Sequence, residues 1–235
     1  EIAQCLVGSE MCIRDSYYPV TTTPLVLMGN ADYDNMPSDW TDLTKDEYKG
    51  LYQLHNLGGG TAKTVFASII SRYQDPDGDL GISDEGWEIA AKFLGNAHNI
   101  ADGEDAVGSV IDGTYPMDEH WASGVLTEQK DRDYKFQIMT PDIGEPYVVE
   151  SLAISAGTKK YDTCVAFLNW LGSSDVQLDW SNNYGTIPCQ KEALDQVSDD
   201  IKELMETLKP QDLDWSFIAE NVDAWVEKAE LEYVQ

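Results

Sequence analysis

The chain has 235 residues, 42% of them hydrophobic, enough to bury a substantial core as one large domain or two smaller lobes. Asp and Glu number 43 against 15 Lys and Arg, a formal net charge of -28, which argues against any broad surface for nucleic acid or for an anionic membrane. No apolar run approaches the roughly 20 residues needed to cross a bilayer.

Residues 1–16 have neither the basic start nor the long apolar stretch of a signal peptide. The run from Cys5 through Met11, Cys12 and Ile13 to Ser16 resembles translated sequencing-adapter DNA, so this segment is set aside as non-native. Cys164 and Cys189 remain, without the close spacing of a zinc or redox motif, and their pairing cannot be read from sequence. A β-branched and apolar run then predicts a strand through Leu25 and Met28. Residues 36–43 predict a short capped helix with Trp40 and Leu43 on one face.

A strand over 51–54 leads through Gly58, Gly59 and Gly60 into a helix expected from Thr61 to about Tyr73. The first turn of that helix is free of side-chain bulk, so its main-chain N–H groups can hold an anion. Glycines before a helix equally serve as plain turn chemistry. Asp75, Asp77 and Asp79 alternate as in a calcium loop, yet Leu80 occupies the place of the turn glycine and Gly86 that of the bidentate glutamate; a surface loop is expected instead. An amphipathic helix over 83–94 and a short one over 105–112, closed by Gly113, follow. Residues 114–124 read as a strand ending on a loop, 136–141 and 148–154 as strands, 162–171 as an apolar helix, and the remainder as mainly helical. Strands alternating with helices give an α/β architecture.

The chemistry-bearing residues do not assemble into an enzyme. There is no Gly-x-Ser-x-Gly elbow, no P-loop, no dinucleotide fingerprint and no Cys with a partnered His. Asp118 and Glu119 are adjacent on a strand and therefore face opposite sides, poorly placed for acid–base work. His55, His98 and His120 form no spaced metal motif; His55 and His98 read as ordinary surface residues, and no metal or cofactor is expected.

The order of these stretches resembles the extracellular solute-binding proteins of ABC importers, closest to the ferric-type subgroup. It is carried by 17–30, by Pro37 through Leu43 with Tyr48, Lys49 and Gly50, by the glycine turn, and by Gly86 and Trp87. In the second half Thr140 to Pro146, Ala166 to Ser173 and Tyr184 to Pro188 agree. The resemblance implies a two-lobed type II periplasmic-binding-protein fold closing on a solute. It assigns 17–124 to the second lobe with a crossing strand and 125–235 to the rest of an incomplete first lobe, so the chain reads as a fragment. Its cleft would be lined by Thr22 and Thr23, by Gly59, Gly60, Thr61 and Ala62, by Glu119, His120 and Trp121, and by Tyr184. The paired tyrosines of ferric-binding members are absent near His120 and Trp121, which puts tyrosine-based iron coordination in doubt. The implied protein is a monomeric receptor, periplasmic or extracellular, with or without a lipid anchor on an upstream segment. It would deliver a small anionic or polar solute such as a phosphate ester or phosphonate to membrane permease subunits. Ferric iron, a polyamine or thiamine are the alternatives within the family, and an α/β enzyme the alternative outside it.

Overall fold

The computed structural model describes residues 17–234, so the segment set aside above lies outside the described residues. In chain order the elements begin with β1 (Tyr18–Gly29), two short 3-10 turns (Trp40–Thr44 and Asp46–Tyr48), β2 (Tyr52–Leu54) and α1 (Gly60–Ile70). Next come β3 (Gln74–Asp79), α2 (Asp84–Asn96), β4 (His98–Asn99), α3 (Ala106–Asp112), β5 (Met117–Trp121), α4 (Ala122–Arg132), β6 (Gln137–Ile138) and β7 (Tyr147–Leu152). The chain closes with α5 (Tyr161–Leu171), α6 (Ser174–Tyr184), β8 (Ile187–Pro188), α7 (Lys191–Leu194), α8 (Asp199–Thr207) and α9 (Trp215–Glu232).

These elements form two compact units, and the chain passes from one to the other inside β1, between Pro24 and Leu25. The larger unit comprises Leu25–Trp121, Glu128–Pro146 and the residues from Gln211 onward. Its sheet runs β4-β2-β5-β1-β6, with β2 parallel to both β4 and β5, and β1 antiparallel to β5 and β6. α1 buries Ala62, Val65, Phe66, Ile69 and Ile70, the three-and-four spacing of an inward helical stripe, against β5, α2 and α9. Each large side chain so buried contributes about 1.5–3 kcal/mol of transfer free energy. Ser83 caps α2 by accepting from the Gly86 amide, and Asp105 caps α3 through the Gly108 amide. Asp39 and Asp42 form a capping box on the turn at Trp40, whose indole is wholly buried against Phe93.

Among the described residues, the smaller unit comprises 17–24 together with Ala122–Thr127 and Tyr147–Pro210. Here β1 pairs antiparallel with β7 and β8, and Leu171, Ile187, Val197, Ile201 and Leu204 are buried beneath the helices. The apolar spacing of α5 is only partly used: Leu171 is buried, whereas Phe167 and Trp170 are exposed.

Two expectations are corrected. The strand expected over 114–124 stops at Trp121 and continues without a loop into α4, because Ala122, Ser123 and Gly124 pack inward as its first turn. The aspartate stretch is no open loop but a strand of a tight hairpin. Asp75 donates to the Gly81 carbonyl and Ser83 to that of Tyr73, while Leu80 and Gly81 turn the chain at φ of 51° and 76°. The Leu80 carbonyl accepts from Nε1 of the buried Trp225 on α9.

Candidate functional site

The sequence-expected residues divide between the units. Thr22, Thr23 and Tyr184 belong to the smaller one. Thr22 lies opposite Val149 and Ile187, Thr23 opposite Val148, and both hydroxyls are buried without a hydrogen bond among the described residues. Tyr184 is exposed at the end of α6, packed on Trp180, where Gly185 ends the helix in a left-handed conformation. The other expected residues all lie in the larger unit.

In that unit α1 begins with no side-chain cap. Asn56 occupies the amides just before it, its side chain accepting from Gly58 and its carbonyl from Gly59. The first main-chain bond of the helix runs from Lys63 to the Gly59 carbonyl, so Gly60, Thr61 and Ala62 are left with unpaired donors among the described residues. Gly58 to Gly60 are exposed, and a Cβ built on Gly60 would meet no atom within 4 Å. The partial positive charge of the helix start is therefore open to a ligand.

β2 and β5 lie side by side and parallel, with Gln53 opposite Asp118. Two residues further along both chains, this register brings His55 beside His120, and alternation puts Asp118 on the same face. One ligand atom from each of His55, Asp118 and His120 lies within 4.8 Å of the others. His120 Nδ1 is 3.3 Å from Asp118 Oδ2, close enough for ionic attraction but outside hydrogen-bond geometry. The Trp121 ring, 38% exposed, stacks on His120 at 4.2 Å and 13°, and the His55 ring lies 6.2 Å from that of His120. Glu119 takes the opposite face and is fully enclosed. Burial pushes its carboxyl up to about 8, the charge of Asp118 adds to the rise, and the nearby His55 main-chain amide offsets it without completing a hydrogen bond.

His55 is thus not an ordinary surface residue: it is half-buried and its Nε2 is enclosed. His98 instead stacks on Tyr115 and meets Glu104. Asp118 and His120, two apart on a strand, were legible as sharing a face. The neighbour that completes the group, His55, comes from a parallel pairing across 65 positions of chain, which no local pattern announces.

Known proteins resemble the chain as a whole. A relative described as a probable ABC transporter periplasmic-binding protein, from Sinorhizobium fredii, is 33% identical over 216 residues, 91% of this chain. The chain spans 60% of that relative's length. Among solved structures, a ferric-binding protein from Campylobacter jejuni aligns with a TM-score of 0.76 at 20% identity, over 93% of this chain and 70% of its own. Ferric ion-binding protein A of Pasteurella haemolytica does so with 0.79 at 18%, over 94% and 70%. At such identities the likeness establishes a shared type II periplasmic-binding-protein fold. Residues 14–209 match the family described as bacterial extracellular solute-binding protein, and the chain belongs to that family of binding proteins rather than to an enzyme family.

Proposed function

We propose that this chain is part of the solute-capturing component of an ABC importer, and that its solute is a small anionic or polar molecule such as a phosphate ester or phosphonate. The observation that carries the anion preference is the start of α1. Three unpaired amides, no acidic residue in the first turn, and open space at Gly60 make a cradle that favours negative charge. The half-exposed Trp121, held flat against His120 in the same unit, offers an apolar face for the rest of such a molecule. Thr22, Thr23 and Tyr184, which the family resemblance assigns to the cleft, join the proposal as further solute contacts. Delivery to membrane permease subunits, a monomeric receptor and a periplasmic or extracellular location, with or without a lipid anchor, belong to the same proposal.

Ferric iron, named for the solved structures of this fold, and a polyamine, favoured by the net charge of -28, are the competing solutes. Calorimetry on the full-length protein with inorganic phosphate, glycerol phosphate, methylphosphonate, ferric citrate and spermidine tests the assignment. Binding of a phosphorus oxyanion compound supports it; binding of spermidine or ferric ion alone overturns it.

A further inference from the structure

The His55, Asp118 and His120 group is more than a neighbour of the helix start. Asp118 is completely buried and His120 is 5% exposed, yet both oxygens of the first, both ring nitrogens of the second and Nε2 of His55 lack a hydrogen-bond partner among the described residues. The enclosed Asp118 carboxylate has the His120 ring 3.3 Å away but no hydrogen-bond donor among the described residues, so the cost of its burial is only partly offset. Enclosed imidazole nitrogens left unpaired add to that cost. A single cation among the three side chains satisfies an atom on each of them at once.

We infer that this group is a metal site of the larger unit, taking one borderline divalent transition ion such as zinc, cobalt(II) or nickel through His55, Asp118 and His120. The donor set decides the class. Two imidazoles and one carboxylate suit these ions, whereas calcium and magnesium call for oxygen donors. Donors around a tetrahedral ion bound at about 2.0–2.2 Å lie about 3.3–3.6 Å apart, so the widest pair here, within 4.8 Å, closes by up to about 1.5 Å on binding, a movement that rotation of the half-buried His55 ring can supply. Asp118 and His120 lie in β5 and His55 directly follows β2, and the Trp121 ring stacked on His120 limits rotation of that imidazole, so the two β5 donors are held in advance. Three protein donors leave a coordination position for water or a solute oxygen. The assignment does not rest on the proposed phosphate-type solute, because its donors are side chains of β5 and of the residue directly after β2 rather than the amides of α1.

The test uses the purified full-length protein stripped with a chelator. Titration with zinc by calorimetry, and with cobalt(II) by its ligand-field absorption, is expected to give one ion per chain with imidazole-type bands. His55→Gln and Asp118→Asn should each weaken binding at least tenfold, while His98→Gln, outside the group, leaves it unchanged. His55 is only half-buried, so its variant remains informative if substitution of the enclosed Asp118 prevents folding. Stripped protein that takes up no ion, or an affinity equal in wild type and His55→Gln, overturns the site. Repeating the phosphate titration on stripped and zinc-loaded protein separates the two readings. Zinc bound without any phosphorus oxyanion leaves this site standing and removes the solute assignment; the reverse removes this site alone.

Discussion

Glu145 offers a sharp test of how burial acts in the larger unit. Its side chain is 1% exposed, Oε2 accepts from Trp40 Nε1 at 2.7 Å, and Oε1 has no hydrogen-bond partner among the described residues. Burial pushes its carboxyl from 4.5 up to about 8; the Trp40 bond and the Arg72 charge pull the other way and do not win. The unfolded chain therefore releases this proton near pH 4.5 while the folded chain holds it to about pH 8. Between those limits the unfolded state binds fewer protons, so stability falls as pH rises, by about 1.4 kcal/mol per pH unit for this group. Across the window of about 3.5 units the loss reaches about 5 kcal/mol, complete above pH 8 and absent below 4.5. Glu145→Gln keeps an acceptor for the Trp40 indole and cannot ionise. Urea unfolding followed by tryptophan fluorescence at half-unit steps from pH 5 to 8 should give a shallower decline for the variant by about that slope. Glu119, raised for the same reason, retains its own share in both proteins. Stability curves that run parallel in the two proteins would refute the reasoning.

Three further substitutions probe particular contacts. Gly60→Val adds its side chain to open space, so the unfolding free energy from urea titration should change by less than about 0.5 kcal/mol, while phosphate affinity in the full-length protein drops at least tenfold; unchanged affinity returns the stretch to a plain turn. Gly86→Ala places a Cβ 2.5 Å from Ile82 Cγ2 and 2.6 Å from Tyr73 Cβ, and thermal unfolding should show a loss of about 1–3 kcal/mol from overpacking; no loss would mean that α2 and the turn at Tyr73 shift apart freely. Trp225→Phe removes both the bond to the Leu80 carbonyl and buried volume, with an expected cost of about 2–4 kcal/mol and faster amide exchange at Asp75 and Ser83; unaltered exchange there would show that the hairpin holds itself.

Much of the fold was legible because local chemistry and tertiary demand agree. Ser83 and Asp105 stand where caps are needed, Gly113 and Gly185 take the left-handed turns that end helices, and the apolar spacing of α1 and α2 matches the faces they bury. The failures share a cause. Ser123 and Gly124 read as turn residues, but as the first turn of α4 they are chosen for close packing, so composition misleads about state. The aspartates of β3 look like loop because the strand is a two-stranded hairpin with little apolar surface, fixed by Trp225 from far along the chain. At the candidate site the glycine turn was visible as a possible anion cradle, and His120 as a polar residue at a strand end. His55 was not, since only the parallel register of β2 and β5 gives it neighbours.

That dependence of the hairpin on Trp225 bears on how the protein is made. The larger unit draws its last pieces from Gln211 onward, so Leu80 and Gly81 wait for a partner synthesised some 145 residues later. Contacts of such separation are slow to close, and a nascent chain lacking α9 must leave its portion of the core uncovered. A ribosome-stalled product ending near Pro210 is therefore expected to be protease-sensitive throughout the larger unit, and a bulky fusion at Val226 or Ala229, both buried on α9, to impair production of the folded protein.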